Sequence, residues 1–231
     1  KVMSVTQAGG KATVTLERRD KGSVEALEAD AVLVAIGRRP RTAGLGLEAL
    51  GLTLDARGFI PVDGQFRTTV PGILAIGDVV PGPMLAHKAE EDGIAAVEAL
   101  AGHAHGAPDY TLVPGVVYTA PEIASLGATE EALQQAGRAH VVGKFQFIAN
   151  GRARAMGATD GLVKVLGCAD TGRILGAHIL GRSAGELIQE LVLGMSTGAT
   201  LAQIAASSHA HPGMGEAVKE ACLAALGKPL H

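Results

Sequence analysis

The stretch Ser207-Ser208-His209-Ala210-His211-Pro212-Gly213-Met214-Gly215-Glu216 decides how this 231-residue chain is read. It sets an imidazole five positions before a carboxylate, with a proline directly after His211. Proline fixes its own φ and pushes the preceding residue out of the helical region, so His211 is expected on an extended segment. Residues 216–226 continue in a helical pattern that Gly227 stops, which places Glu216 in the first turn. A carboxylate there can reach back to the imidazole, fix its tautomer and raise its basicity. That is the layout of a general acid/base dyad. The competing reading is a satisfied structural histidine at a helix entrance.

Working back from this stretch, residues 111–210 read as a sheet followed by helices. An edge strand is expected at 113–119, leading into 121–127, with Thr129 capping a helix at 130–136. Strand patterns at 139–147, 161–166 and 174–180 form an antiparallel meander, with Asp170-Thr171-Gly172 as a turn. Ser183 and Glu186 have capping-box spacing for a helix over 184–195, whose stripe is Leu187, Ile188, Leu191, Val192 and Met195. Thr200 opens a further helix that ends near Ser207. Residues 111–231 therefore read as an α+β layer, an antiparallel sheet with helices on one face. The free sheet face or the helix stripes are the surfaces expected to meet a partner subunit.

The N-terminal part has a different texture. Residues 1–36 alternate as strands, with turns at Gly9-Gly10 and Asp20-Lys21-Gly22-Ser23. The apolar run 30–37 predicts a buried strand ending at Gly37, where backbone can approach a ligand. Residues 41–70 are loop-rich, with a short strand expected at 59–62. A second apolar strand, 72–77, delivers Asp78 at its C-terminal end, where α/β sheets bind ligands. Such an Asp can accept hydrogen bonds from a sugar or ribitol hydroxyl, or simply cap a turn. A helix over 84–100 follows Pro83, and its unpaired first-turn N–H groups suit an electron-rich ligand edge.

Composition narrows the function classes. Hydrophobic residues make up 47% of the chain and aromatics 3%, so the core must be aliphatic. A net charge of −3 gives no reason to propose a nucleic-acid or membrane-surface partner. Cys168 and Cys222 share no redox or metal spacing, and read as buried reduced thiols of a cytoplasmic protein. The His-x-His pairs, His103/His105 and His209/His211, lack accompanying cysteines or carboxylates at ligand spacing, so no metal site is assigned. The chain opens at Lys1 inside a strand pattern and reads as a portion of something longer.

Five segments in order carry a resemblance: 32–40, 72–79, 83–93, 118–127 and His209-Ala210-His211-Pro212 with Glu216. Together they resemble the C-terminal half of the pyridine nucleotide–disulfide oxidoreductases. Ala86-His87-Lys88-Ala89-Glu90 is most similar to the members that oxidise dihydrolipoamide, rather than to the glutathione or mercuric reductases. The resemblance implies a flavoenzyme that passes electrons through an active-site disulfide and FAD to NAD. It implies three parts: 1–36 as the end of an NAD-binding domain, 37–110 as the end of an FAD-binding domain, both Rossmann-like remnants, and 111–231 as a complete α+β dimerisation domain. His211 would be the acid/base acting on the other subunit's disulfide, and Glu216 its orienting partner. Asp78 would hold the FAD ribitol, Met84, Leu85, Ala86 and His87 would meet the flavin, and Gly37 would lie against NAD. The implied partners are a second copy through 111–231 and the lipoyl domain of a 2-oxo acid dehydrogenase complex.

This sequence holds no GxGxxG turn and no Cys-x4-Cys pair, and a flexible Gly213-Met214-Gly215 follows Pro212 where the family often has threonine. The 231 residues alone are therefore expected to show no turnover. Two other readings keep the same fold: a dimerisation module without catalysis, and a sister reductase acting on another disulfide or a metal ion.

Overall fold

In the computed structural model, residues 1–103, 106 and 108–231 are described. His105, one half of the first His-x-His pair, lies outside them. The chain divides into two compact units, Lys1–Arg39 and Pro40–His231.

The first unit is an antiparallel meander of β1 (Val2–Ala8), β2 (Lys11–Glu17) and β3 (Val24–Ala29). Gly9 and Gly10, with φ of 57° and 78°, form the two-residue turn that matches strand twist. The buried strand expected over 30–37 does not form. Leu33 and Ile36 are 91% and 96% exposed, and no strand pairs with the run among the described residues. A doubly buried strand needs a neighbour on each side, and an apolar run cannot supply its own.

In the second unit, residues 40–83 are loops over a small core of Leu47, Leu52, Ile60, Ala75 and Val80. Neither expected strand appears here. Phe59 and Ile60 are buried, but Ile60 makes a single backbone bond, to Val79 O at 2.8 Å. The 72–77 run has one isolated bridge, Arg67 to Leu74, and passes into a 3-10 turn at Gly77–Val79. Short apolar runs report burial, and burial can come from loops packed on loops. Helix α1 (Ala86–Leu100) then begins two residues later than expected, with Leu85 extended at its N-cap.

The rest is a five-stranded antiparallel sheet with helices on one face. Its strands are β4 (Gly115–Val117), β5 (Glu122–Gly127), β6 (His140–Gln146), β7 (Leu162–Cys168) and β8 (Ile174–Gly181), in the order β4-β5-β8-β7-β6. The helices are α2 (Glu130–Gln135), α3 (Gly151–Ala155), α4 (Ala184–Ser196), α5 (Leu201–Ala206) and α6 (Glu216–Ala225). Ala124, Leu126, Val163, Val165, Ala177 and Ile179 share the inner face and meet Ile188 and Leu191 of α4 and Val218, Ala221 and Cys222 of α6. Burying one such aliphatic side chain is worth about 2 kcal/mol, so this face outweighs any cap. Gly143 is where α6 comes closest, since a Cβ there would run into the Ala221 carbonyl.

The capping box expected at Ser183 is absent. Ser183 is left-handed at φ 59° and makes no cap bond. Glu122 of β5 caps α4 instead, accepting from Gly185 N at 2.9 Å. A true capping box sits at Thr200 and Gln203 on α5. Cys222 is buried as expected, whereas Cys168 is partly exposed at a turn. Among the described residues no helix is long and apolar enough to cross a membrane.

Candidate active site

The loop between α5 and α6 brings His211 and Glu216 together. His211 Nδ1 lies 2.9 Å from Glu216 Oε1, and Gly213 N donates to Glu216 Oε2 at 2.8 Å. These two contacts, the Gly213 N–H foremost, hold the Glu216 carboxyl below its ordinary value. A carboxylate accepts, so Nδ1 carries the proton and Nε2 presents its lone pair. His211 is 79% exposed, and its Nε2 makes no hydrogen bond among the described residues. The geometry is an oriented imidazole with one ring nitrogen open to solvent, an arrangement able to accept a proton.

Two supports of this loop were missed from sequence. Asn150, buried between β6 and α3, donates through Nδ2 to Gly213 O at 3.0 Å. Its Oδ1 caps α3 by accepting from Ala153 N. His209 pairs with Glu190 of α4, Nε2 to Oε1 at 2.9 Å. Asn150 lies 63 residues from its partner, and no local signal pairs it with Gly213. A small cavity of about 80 Å³ beside the dyad is lined by Phe145, Asn150, His211, Glu216, Glu220 and His231.

The expected flavin-contacting residues gather elsewhere in the same unit, around a buried ion pair that sequence reading also missed. Lys88 Nζ and Asp92 Oδ2 stand 2.7 Å apart, both 0% exposed. Lys88 donates to Gly77 O at 3.1 Å, and Gly77 N donates to Asp92 Oδ2 at 3.0 Å. Tyr110 OH donates to Asp92 Oδ1 at 2.8 Å, and burial followed by Asp92 pushes the Tyr110 phenol up. Both polar groups of Gly77 are thereby held, at a φ of 73° that favours glycine, and Asp78 is the next residue.

Helix α1 starts with no side-chain cap and no acidic residue in its first turn, so its leading N–H groups stay available. Met84 and Leu85 are half-buried, Ala86 and His87 exposed. His87 Nε2 donates to Pro114 O at 2.8 Å. Uncapped donors near a half-buried Asp78, which follows the clamped Gly77, fit a ligand edge rich in acceptors and hydroxyls, as a flavin nucleotide is. The cavity at His211 is lined by no residue of 78–87. Gly37, at φ 149°, belongs to the first unit.

The thiols differ in character. The Thr171 hydroxyl, with Thr171 and Asp170 N–H groups, draws Cys168 down, while burial pushes Cys222 up to about 12. Among the described residues no group of three His, Cys, Asp or Glu side chains could hold a metal ion. The His209/His211 pair does not converge, since each imidazole faces a different carboxylate.

Residues 113–222 match the dimerisation domain of pyridine nucleotide-disulphide oxidoreductases, and residues 1–93 match the pyridine nucleotide-disulphide oxidoreductase domain. The mitochondrial dihydrolipoyl dehydrogenase 1 of Arabidopsis thaliana is 52% identical over the whole chain, which spans 45% of that relative. The mitochondrial enzyme of Cricetulus griseus is also 52% identical, with 46% of its length covered. Among solved structures, LpdA from Mycobacterium tuberculosis superposes with a TM-score of 0.86 at 28% identity, over 96% of this chain and 47% of that one. The HOCl-induced flavoprotein disulfide reductase RclA of Escherichia coli, solved as a Cu(II) complex, gives 0.86 at 28%, over 96% and 49%.

The cytoplasmic expectation is overturned here, because the relatives are named as mitochondrial. Unpaired thiols report redox poise and carry no address. The chain spans about half the length of the curated relatives it matches, carries a dimerisation domain, and belongs to the pyridine nucleotide–disulphide oxidoreductases.

Proposed function

We propose that this chain is the part of an FAD- and NAD-dependent dihydrolipoyl dehydrogenase that supplies the acid/base dyad and the subunit interface. The carrying observation is His211 Nδ1 at 2.9 Å from Glu216 with Nε2 open. The 50–52% identity to dihydrolipoyl dehydrogenases supports the substrate class. His211 Nε2 takes the proton of a dihydrolipoamide thiol, leaving the thiolate that is the competent nucleophile. Glu216 stabilises the imidazolium so formed and keeps the ring in register. In this reading the dyad serves the other subunit of a homodimer joined through residues 111–231, and the dimerisation-domain match over 113–222 supports the joining.

FAD, when bound, supplies the electron relay to NAD. Asp78 would take its ribitol, Met84, Leu85, Ala86 and His87 its ring system, and Gly37 would lie along NAD. The lipoyl domain of a 2-oxo acid dehydrogenase complex is the proposed carrier of substrate. Residues 1–36, 37–110 and 111–231 are the proposed NAD-domain, FAD-domain and interface parts.

The test is NAD-linked oxidation of dihydrolipoamide by the full-length enzyme carrying His211→Gln or Glu216→Gln. Loss of a positioned acid/base costs roughly 10²–10⁴-fold in turnover, and His211→Gln is expected in that range. Unchanged turnover in His211→Gln would overturn the dyad reading.

A further inference from the structure

The loop carrying His211 is anchored by a second imidazole–carboxylate pair with a different character. His209 Nε2 meets the Glu190 oxygens at 2.9 and 3.2 Å. Its Nδ1 faces the Ser207 carbonyl at 3.1 Å, and Lys219 Nζ of α6 donates to that same carbonyl at 3.0 Å. Both ring nitrogens are engaged and the side chain is 9% exposed, so His209 has no open nitrogen for a substrate proton. A Cβ built on Gly215 would stand 3.5 Å from His209 Cδ2, so the ring lies against the residue directly before Glu216. His209 thus touches the dyad's frame on both sides: two residues upstream of His211 in the chain, and beside the start of α6 in space. Two extended residues span at most about 7 Å, so fixing His209 restricts where His211 can go.

We propose that the Glu190–His209 pair is a positioning device for the dyad, pinning the entering segment to α4 so that His211 meets Glu216 in one arrangement. The inference rests on reading His211 and Glu216 as the acid/base dyad. His209 is a positioning residue, acting through His211 and touching no substrate. The pair does for one side of the loop what Asn150 does for the other, where it holds Gly213. A loop with Gly213 and Gly215 in it has little stiffness of its own, so its geometry has to come from such contacts.

The experiment compares His209→Leu, His209→Gln and Glu216→Gln in the full-length enzyme. His209→Leu is expected to lower kcat about tenfold to a hundredfold with KM unchanged, the scale that a small misplacement of a reacting group costs. His209→Gln, whose amide still donates to Glu190, is expected to recover part of that loss. In the 231-residue chain, the ring-nitrogen NMR shifts of His211 report the bond from Nδ1 to Glu216. They are expected to move toward a mixed-tautomer ring in His209→Leu, which a purely structural role for His209 would not produce. An unchanged kcat in His209→Leu beside a reduced one in Glu216→Gln overturns the positioning role and leaves the dyad standing. A raised KM at constant kcat overturns it as well, by placing His209 on the substrate. If Glu216→Gln also leaves kcat unchanged, the dyad reading itself is what fails. Should His209→Leu not fold, Glu190→Gln weakens the same contact without changing its shape, and the same two measurements decide.

Discussion

Glu216 shows how one carboxylate can tie a loop together. Its carboxyl is held below the ordinary value of 4.5, by Gly213 N first and His211 second. A lowered folded value means the carboxylate's contribution is fully present above the ordinary value and is lost as pH falls through the lowered one. The Gly213 amide is therefore expected to stay protected from hydrogen exchange at neutral pH and to lose protection only on acidification below about 4.5. Loss of protection on the alkaline side would contradict this. The thiols make a second residue-scale prediction. Cys168, lowered by the Thr171 hydroxyl, should alkylate readily in the native protein, while buried Cys222, pushed up to about 12, should react only on unfolding. Mass spectrometry after a native iodoacetamide pulse checks it. Sequence alone could propose His211 and Glu216, because five positions and a proline constrain each other locally. It could not propose Asn150, Glu190 or the Gly77 clamp, because each finds its partner across the fold.

At the scale of elements, α1 and α4 carry the clearest energetics. Lys88 and Asp92 are four apart on α1, a spacing that usually marks a solvated pair worth a few tenths of a kcal/mol. Here both are fully buried, and Asp92 also accepts from Gly77 and Tyr110. Removing one partner of a buried pair leaves an uncompensated charge, so Lys88→Met should cost about 3–5 kcal/mol in chemical denaturation. The double change Lys88→Met with Asp92→Leu should recover much of that. Leu191, on the α4 stripe and fully buried, should cost about 2–5 kcal/mol as Leu191→Ala. The elements of the sheet layer were legible because their alternation and helical stripes repeat over many residues. The expected strands at 59–62 and 72–77 failed because an apolar run states that a segment is buried and not what buries it, whereas the run at 30–37 stays exposed because no strand pairs with it among the described residues. Ser183 failed as a cap because Glu122, from a distant strand, took the Gly185 amide.

Over the whole molecule, the two units differ in how much they bury. The second has two largely aliphatic cores, one under the sheet and a smaller one under residues 40–83, while Val24, Leu33 and Ile36 of the first stand in solvent. Amides of β1 and β3 are expected to exchange far faster than those of β7 and β8, as measured by hydrogen exchange with mass spectrometry. The 231-residue chain is expected to be colourless and without lipoamide turnover, since it holds neither GxGxxG nor Cys-x4-Cys; a stoichiometric flavin band would contradict that. The sequence by itself determined the α+β layer, the pairing of His211 with Glu216 and the family, because these rest on short-range spacing and on ordered motifs. Only the tertiary structure decided what holds the dyad and the Asp78 turn in place. Those supports are buried polar contacts, whose worth depends on partners brought out of water together, and residues 63 apart in sequence share no pattern that announces them.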